Sequence, residues 1–238
     1  MIMLEEINDE MNDIGDVLDE ALTIGQKQLS EYESKKILSR FGIPVVREML
    51  VGDLSEAKTA AESLGYPIVL KACSAEISHK TESGLIAVDL RSEADLSAAF
   101  TRIAEKMGTG EDHFLVQEMI KGSRELVMGM TRDPVFGPCV MFGIGGIFTE
   151  ALGDVSFRAA PLTRQDALEM MQEIRGQRLL SDIRGMAAPD RNILADCLVA
   201  LGDIGQDYGQ IKAIDINPMI IRDRTPVAVD ALIVLAGE

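Results

Sequence analysis

Apolar residues recur along this chain at two alternating periods. Ile7, Met11, Ile14, Leu18, Leu22 and Gly25 fall at helical spacing. They predict an amphipathic amino-terminal helix over residues 1–26, docked on its own domain or on a partner. Ser30-Glu31-Tyr32-Glu33 has the signature of a capping box, opening a helix that ends at Phe41-Gly42 with Pro44 just beyond. A strand over Val45–Val51 and a helix over about Ser55–Leu64 follow, stopped by Gly65-Tyr66-Pro67. Ile68–Cys73, apolar except for Lys71, reads as a buried strand, and Leu85–Leu90 as another. A helix over about Glu93–Met107 precedes a strand over Phe114–Glu118. Two longer strands, near Arg124–Met130 and Cys139–Ile144, flank a turn at Arg132-Asp133-Pro134. A helix from Thr163, another over Pro189–Tyr208, and strands over Ile211–Ile216 and Pro226–Asp230 complete the set. Strands and helices mixed without strict βαβ repetition predict an α+β fold of two lobes with a cleft between them.

The 238 residues suffice for one large domain or two intimate subdomains, and 47% hydrophobic content provides a substantial core. The net charge of −16 argues against nucleic acid or an anionic membrane as partner, yet an anionic small ligand remains compatible with a few gathered cations. Half of that charge comes from eight acidic side chains in residues 1–26, a stretch without Lys or Arg, so no secretory leader is expected. No apolar stretch is long enough to span a membrane. Cys73, Cys139 and Cys197 are far apart with no CxxC pair, which predicts reduced core thiols in a cytoplasmic protein.

Several residues carry chemistry. A buried lysine must be paired or face a ligand, so Lys71 either looks into a cleft or makes an ion pair at a sheet edge. Residues 77–84, ISHKTESG, hold one of the chain's two histidines. A neutral imidazole is a competent nucleophile towards phosphorus, and Lys80 would neutralise the arriving phosphate, though His79 reads equally as a solvent-facing side chain. The glycine-rich Phe142–Ile147 would let backbone amides approach a phosphate, and Arg158 beyond Glu150 suits an anion fork. Asp215 and Asn217 share one face of a strand whose other face carries Ile214 and Ile216. If Asp223-Arg224 is a hairpin tip, Asn217 lies opposite Asp230, and three hard oxygen donors converge as a magnesium–phosphate site requires, or else form a polar hairpin face in water. Val116-Gln117-Glu118-Met119-Ile120 ends a buried strand and enters a looser segment before Glu125, a place where backbone can meet a base edge and a carboxylate the ribose.

In this order, Lys71, the His79-Lys80-Thr81 loop, the VQEMI segment with Glu125, RDPVFGPCVMFGIGGIFTEALGDVSFRAAPL and Asp215-Ile216-Asn217-Pro218 resemble the ATP-grasp subunit of ADP-forming acyl-CoA synthetases. That family is related to the succinyl-CoA synthetase beta subunit. The resemblance spans roughly residues 30–235. It implies an acidic helix over 1–29 followed by an ATP-grasp domain over 30–238, the smaller lobe about 46–118 and the larger about 119–238 plus 30–45. It implies the reversible conversion of acyl-CoA, phosphate and ADP to acid, CoA and ATP. A companion alpha chain, in an α2β2 assembly, would carry the CoA site and a first phosphohistidine. By this resemblance His79 ferries the phosphoryl group and Lys71 holds nucleotide phosphates. Glu118, Met119 and Ile120 form the adenine hinge and Glu125 takes the ribose. Asn217 and Asp230, with Asp215 close by, bind Mg2+, and Lys80, Glu150 and Arg158 lie in phosphate-facing segments. One departure is Ser83-Gly84-Leu85, where the family usually has a glycine pair. Two other readings stay open: a non-catalytic ATP-grasp module of the kind fused to protein acetyltransferases, and a carboxylate–amine ligase.

Overall fold

A computed structural model describes residues 13–75, 84–107, 113–122, 124–146, 153–183 and 185–237. His79, Lys80 and Glu150 lie outside the described residues.

Two antiparallel sheets organise the chain. The smaller has the order β1 (Glu48–Val51), β4 (His113–Glu118), β2 (Ile68–Cys73), β3 (Ile86–Leu90). Helices α3 (Leu54–Leu64) and α4 (Glu93–Met107) cover one of its faces. Alternation along the strands explains how: Leu70, Ala72, Phe114 and Val116 point into a core with Ala57, Ala60, Ala61, Leu96 and Ile103. The intervening positions Lys71, Leu115 and Gln117 therefore face the other way, towards the larger lobe.

The larger sheet has the order β10 (Ala231–Leu235), β8 (Ile211–Arg222), β5 (Glu125–Asp133), β6 (Gly137–Ile144), β7 (Val155–Ala159), with β9 (Thr225–Ala228) paired to β8. Its buried face, including Met128, Met130, Val140, Phe142, Ile214 and Ile216, packs with α2 (Glu31–Arg40), α5 (Arg164–Glu173) and α6 (Arg191–Asp207). The capping box at the start of α2 is present, with the Ser30 hydroxyl accepting from Glu33 N and the Glu33 carboxylate accepting from Ser30 N. Helix α1 (Ile14–Thr23) inserts Ile14, Leu18 and Ala21 into this same core, so the described part of the acidic helix docks on its own chain.

Most predicted elements match within a residue or two; four differ, the first being β8, which runs on from Ile216 to Arg222. The segment before β1 is not strand: Val45 bridges Ala228 and Val46 N donates to Ala228 O, tying it to the larger lobe instead. The turn falls after Asp133, whose Oδ1 accepts from Val135 and Phe136 N, and closes at Gly137 with φ 72°. The chain also continues past Asp230, where the last expected strand ended, into β10. Cys73, Cys139 and Cys197 are in no disulfide among the described residues, and burial pushes Cys197 up to about 12. No helix among the described residues is long and apolar enough to cross a membrane.

Candidate functional site

The β8–β9 turn sets the register of the site. Arg222 pairs with Thr225 and Met219 with Ala228, and the same register resumes at Ile216 opposite Ala231. Asn217 accordingly meets Asp230, its N–H donating to Asp230 O at 3.3 Å. Asp215 lies on the face opposite the buried Ile214 and Ile216. Across the sheet Asp215 leads a row through Gly129, Met141 and Phe157. Gly129 must be glycine there, because a Cβ would stand 2.5 Å from Ile214 O. Water reaches Asp215, yet the surrounding protein displaces enough solvent to push its carboxyl above the usual carboxylate range, and Asp230 adds like charge.

Lys71 comes from the smaller lobe to the same corner. It is 2% exposed, its Nζ 2.7 Å from Glu31 Oε1, 3.2 Å from Val229 O and 3.8 Å from Asp230 Oδ2. The two readings of this lysine are thus not exclusive: it is ion-paired, but from a central strand and between the lobes. Burial alone would lower the pKa of its ammonium; Glu31, Asp230 and Glu48 outweigh that and raise it.

The segment after β4 forms the back of this corner. The Glu118 carboxylate is not turned inward. Its Oε2 accepts from Arg47 Nη2 at 2.9 Å and its Oε1 from Arg222 Nη1 at 3.0 Å. Burial would raise its pKa, but these partners hold it below the ordinary value. Glu118 N donates to Arg47 O and Met119 N to Pro67 O, while Ile120 is buried against Val46 and Val227. Gln117 is fully buried; Nε2 donates to Glu48 Oε2 and Val229 O, both at 3.0 Å, and Oε1 has no hydrogen-bond partner among the described residues. Both partners of Nε2 are acceptors, so the amide cannot be turned around, and the orphaned atom is an acceptor. Glu125 opens β5 with its carboxylate beside Gly146.

Two expectations need correction. Arg158 is not brought to this corner. Val140, its β6 neighbour, faces the helices, and Arg158 accordingly turns to α5, where Nη1 donates to Glu173 Oε2 at 2.9 Å. The residue that β7 presents beside Met141 is Phe157. The glycine-rich stretch is also spoken for: a Cβ on Gly143 would meet Asp154 O at 2.8 Å and one on Gly145 the Glu125 backbone at 2.9 Å. These glycines let strands approach one another.

Sequence reasoning missed Glu31, Lys35, Glu48 and Gln117, which surround Lys71. The available signal was the Glu31–Lys35 spacing of four in a helix otherwise rich in buried positions.

The donors present fit a hard divalent cation. Magnesium takes one or two carboxylates and completes its shell with phosphate oxygens and water. Asp215, Asp230 and the Asn217 amide are such a set, and the Asp215 pKa, raised by burial and further by the Asp230 charge, marks a carboxylate that a cation would relieve. No group of three or more His, Cys, Asp or Glu side chains able to hold a metal occurs among the described residues.

Comparison with known proteins locates this architecture. Residues 20–235 match the family model described as ATP-grasp domain. The beta subunit of ADP-forming acetate–CoA ligase I from Pyrococcus furiosus is 38% identical over 214 residues, covering 88% of this chain and 92% of that one. ADP-forming acetate–CoA ligase I of Archaeoglobus fulgidus is 37% identical over 211 residues, 87% of this chain but 31% of that longer one. A solved acetyl-coenzyme A synthetase 1 from Ca. Korarchaeum cryptofilum, in complex with coenzyme A and Mg-AMPPCP and with its phosphohistidine segment pointing towards the nucleotide site, superposes with a TM-score of 0.82. It is 40% identical over 93% of this chain and 99% of that one. The fold, the corner where Lys71 meets Asp230, and these similarities agree: the chain belongs to the ATP-grasp family, among the beta subunits of ADP-forming acetate–CoA ligases.

Proposed function

We propose that this chain is the nucleotide-binding beta subunit of a cytoplasmic ADP-forming acyl-CoA synthetase, passing a phosphoryl group between a phosphohistidine and ADP. The convergence of Lys71 from one lobe with Asp215, Asn217 and Asp230 from the other carries the reading. Phosphoryl transfer depends on positioning and charge neutralisation more than on covalent chemistry, and that corner supplies both.

Lys71 takes the nucleotide phosphates. Asp215, Asn217 and Asp230 hold magnesium, which when bound neutralises charge on the transferring group. The Glu118 and Met119 amides are engaged within the protein, so the base edge meets the carbonyls of this hinge and the Ile120 N–H. The orphaned Gln117 Oε1 beside it is an acceptor suited to an exocyclic amine. Glu125 takes the ribose hydroxyls. His79 carries the phosphoryl group: its N–P bond breaks as an O–P bond forms to the terminal oxygen of ADP, and Lys80 and Glu150 are assigned to the phosphate-facing machinery. The partner is an alpha subunit with the CoA site, in an α2β2 assembly. The Archaeoglobus fulgidus relative, which this chain matches over 31% of its length, supports this reading because one chain there holds more than the ATP-grasp part.

The test is to co-express the chain with a candidate alpha subunit and follow ATP formation from acetyl-CoA, ADP and phosphate. ATP should form with both subunits and not with either alone. Substituting His79→Ala should abolish ATP formation while an acid-labile phosphate still appears on the alpha chain. Full activity of His79→Ala would remove the shuttle.

A further inference from the structure

Helix α2 carries Glu31 and Lys35 one turn apart, and both are closed to solvent at 3% and 1% exposure. Pairs at this spacing usually lie on a wet helix face and contribute only tenths of a kcal/mol. Here the helix belongs to the larger lobe, and the pair faces the inner surface of the smaller sheet. Glu31 Oε1 accepts from Lys35 Nζ and from Lys71 Nζ, each at 2.7 Å. Lys35 also bonds Glu48 of β1 and reaches Val229 O at 3.3 Å. The Val229 carbonyl receives three donors, from Lys35, Lys71 and Gln117. The residue after Val229 is Asp230.

Stability alone does not explain this arrangement. Well-packed apolar residues in place of a buried ion network are often neutral or stabilising, and the best-attested use of such networks is to fix registry. What is registered here is the amine of Lys71 against the backbone that carries Asp230. A lysine ammonium sits on a flexible four-carbon stem and has three protons. Glu31 and Val229 O take two of them, which pins the head in one place. The Asp230 carboxylate stands at 3.8 Å, close enough for charge attraction but too far for a hydrogen bond.

We propose that Glu31 is a positioning residue for the nucleotide: it holds the Lys71 ammonium against the Val229–Asp230 backbone so that the third proton meets an incoming phosphate oxygen beside the Asp230 carboxylate. Lys35, Glu48 and Gln117 hold Glu31 and the Val229 carbonyl in place. The inference rests on Lys71 acting as the phosphate cation. It adds that a carboxylate on a different lobe decides how well the lysine does so.

Calorimetric titration of the 238-residue chain with ADP and magnesium tests it. Glu31→Gln should weaken binding about tenfold or more while the stoichiometry stays that of the wild type. In a Lys71→Met background the same substitution should change affinity by less than about twofold, because the two residues act as one unit. A merely structural Glu31 would lower the stoichiometry and leave the dissociation constant alone. That result, or a Glu31→Gln affinity equal to wild type, or full additivity in the double variant, overturns the proposal. Should circular dichroism show Glu31→Gln unfolded, Glu31→Asp decides: charge is kept and the carboxylate withdrawn by one methylene, and unchanged affinity refutes positioning. If the wild type binds no ADP, the nucleotide reading itself falls.

Discussion

The two faces that meet between the lobes are built alike and charged differently. Each is the uncovered side of an antiparallel sheet whose other side is packed by helices. On the smaller sheet, Lys71 and Gln117 are buried, Glu48 is half-buried, and all three are knitted to Glu31, Lys35 and Val229 O. On the larger sheet, burial raises the pKa of Asp215 and the like charge of Asp230 adds to it. One surface has its charges balanced within the protein. The other holds two carboxylates of like charge, Asp215 and Asp230, of which Asp230 also faces Lys71 at 3.8 Å. The difference separates a region that fixes geometry from a region that binds.

Replacing Asp215 should break that contrast most sharply. Asp215→Asn removes a proposed metal ligand, and a loss of about a hundredfold to a thousandfold in ATP formation is expected, of the order seen when one preorganised charge-stabilising group is deleted. The same change should raise the melting temperature of the ligand-free protein by about 1–3 °C, since it removes a carboxylate whose charged form the fold disfavours. For the sign, a folded pKa above the unfolded one means that the charged form opposes folding at neutral pH, and the penalty disappears as the pH falls through the raised value. The variant's advantage should therefore shrink in mild acid. A variant that loses activity and melts lower would show that Asp215 is part of a balanced network after all.

On the balanced side, Lys35→Met should act in the opposite sense. It leaves Glu31 and Glu48 with one cation fewer in a closed space. Breaking a buried pair by removing one partner costs about 3 kcal/mol, which for a chain of this size is a fall of roughly 6–12 °C in melting temperature. Burial already raises the Glu48 pKa against the pull of Lys35, so the loss should ease as the pH is lowered and Glu48 protonates. An unchanged melting temperature would mean that water enters the network and the region is not the rigid frame described above.

The contrast was only half visible in the sequence. Asn217 could be set against Asp230 because antiparallel pairing from a two-residue turn is arithmetic, and the structure has that register. Lys71 stood out because a lysine inside Ile68–Cys73 breaks an apolar run. Both signals are local. The partners of Lys71 were not legible, because Glu31 and Lys35 satisfy a helix pattern whether that helix face is wet or buried, and only tertiary docking decides. Arg158 was misplaced for a related reason. Period-two alternation says which residues share a face, but for the short edge strand β7 only pairing with β6 says which face is inside. Strand β10 was missed because only two residues, Val229-Asp230, separate it from β9, with no glycine or proline to mark a restart of the alternation.

The smallest effect probes the rim where the two faces are joined. Glu118 accepts from Arg47 on the lead-in to β1 and from Arg222 on the β8–β9 turn, so its carboxylate links the smaller lobe to the larger. Both arginines are largely solvent-exposed, and exposed pairs are worth at most about 1 kcal/mol each. Glu118→Gln keeps the shape and removes the charge, so a decrease of about 2–4 °C in melting temperature is expected at neutral pH. Burial works against the carboxylate, but the arginines prevail and hold its pKa below the ordinary 4.5. A depressed folded pKa means stabilisation that is present above the unfolded value and lost as the pH drops through the folded one. The gap between wild type and Glu118→Gln should therefore stay constant down to about pH 4.5 and close below it. Nucleotide affinity should change little if, as proposed, the hinge meets the base through its backbone. A Glu118→Gln variant that keeps its melting temperature but loses ADP binding would move Glu118 from the frame to the binding surface, and the division between the two faces would have to be redrawn through it.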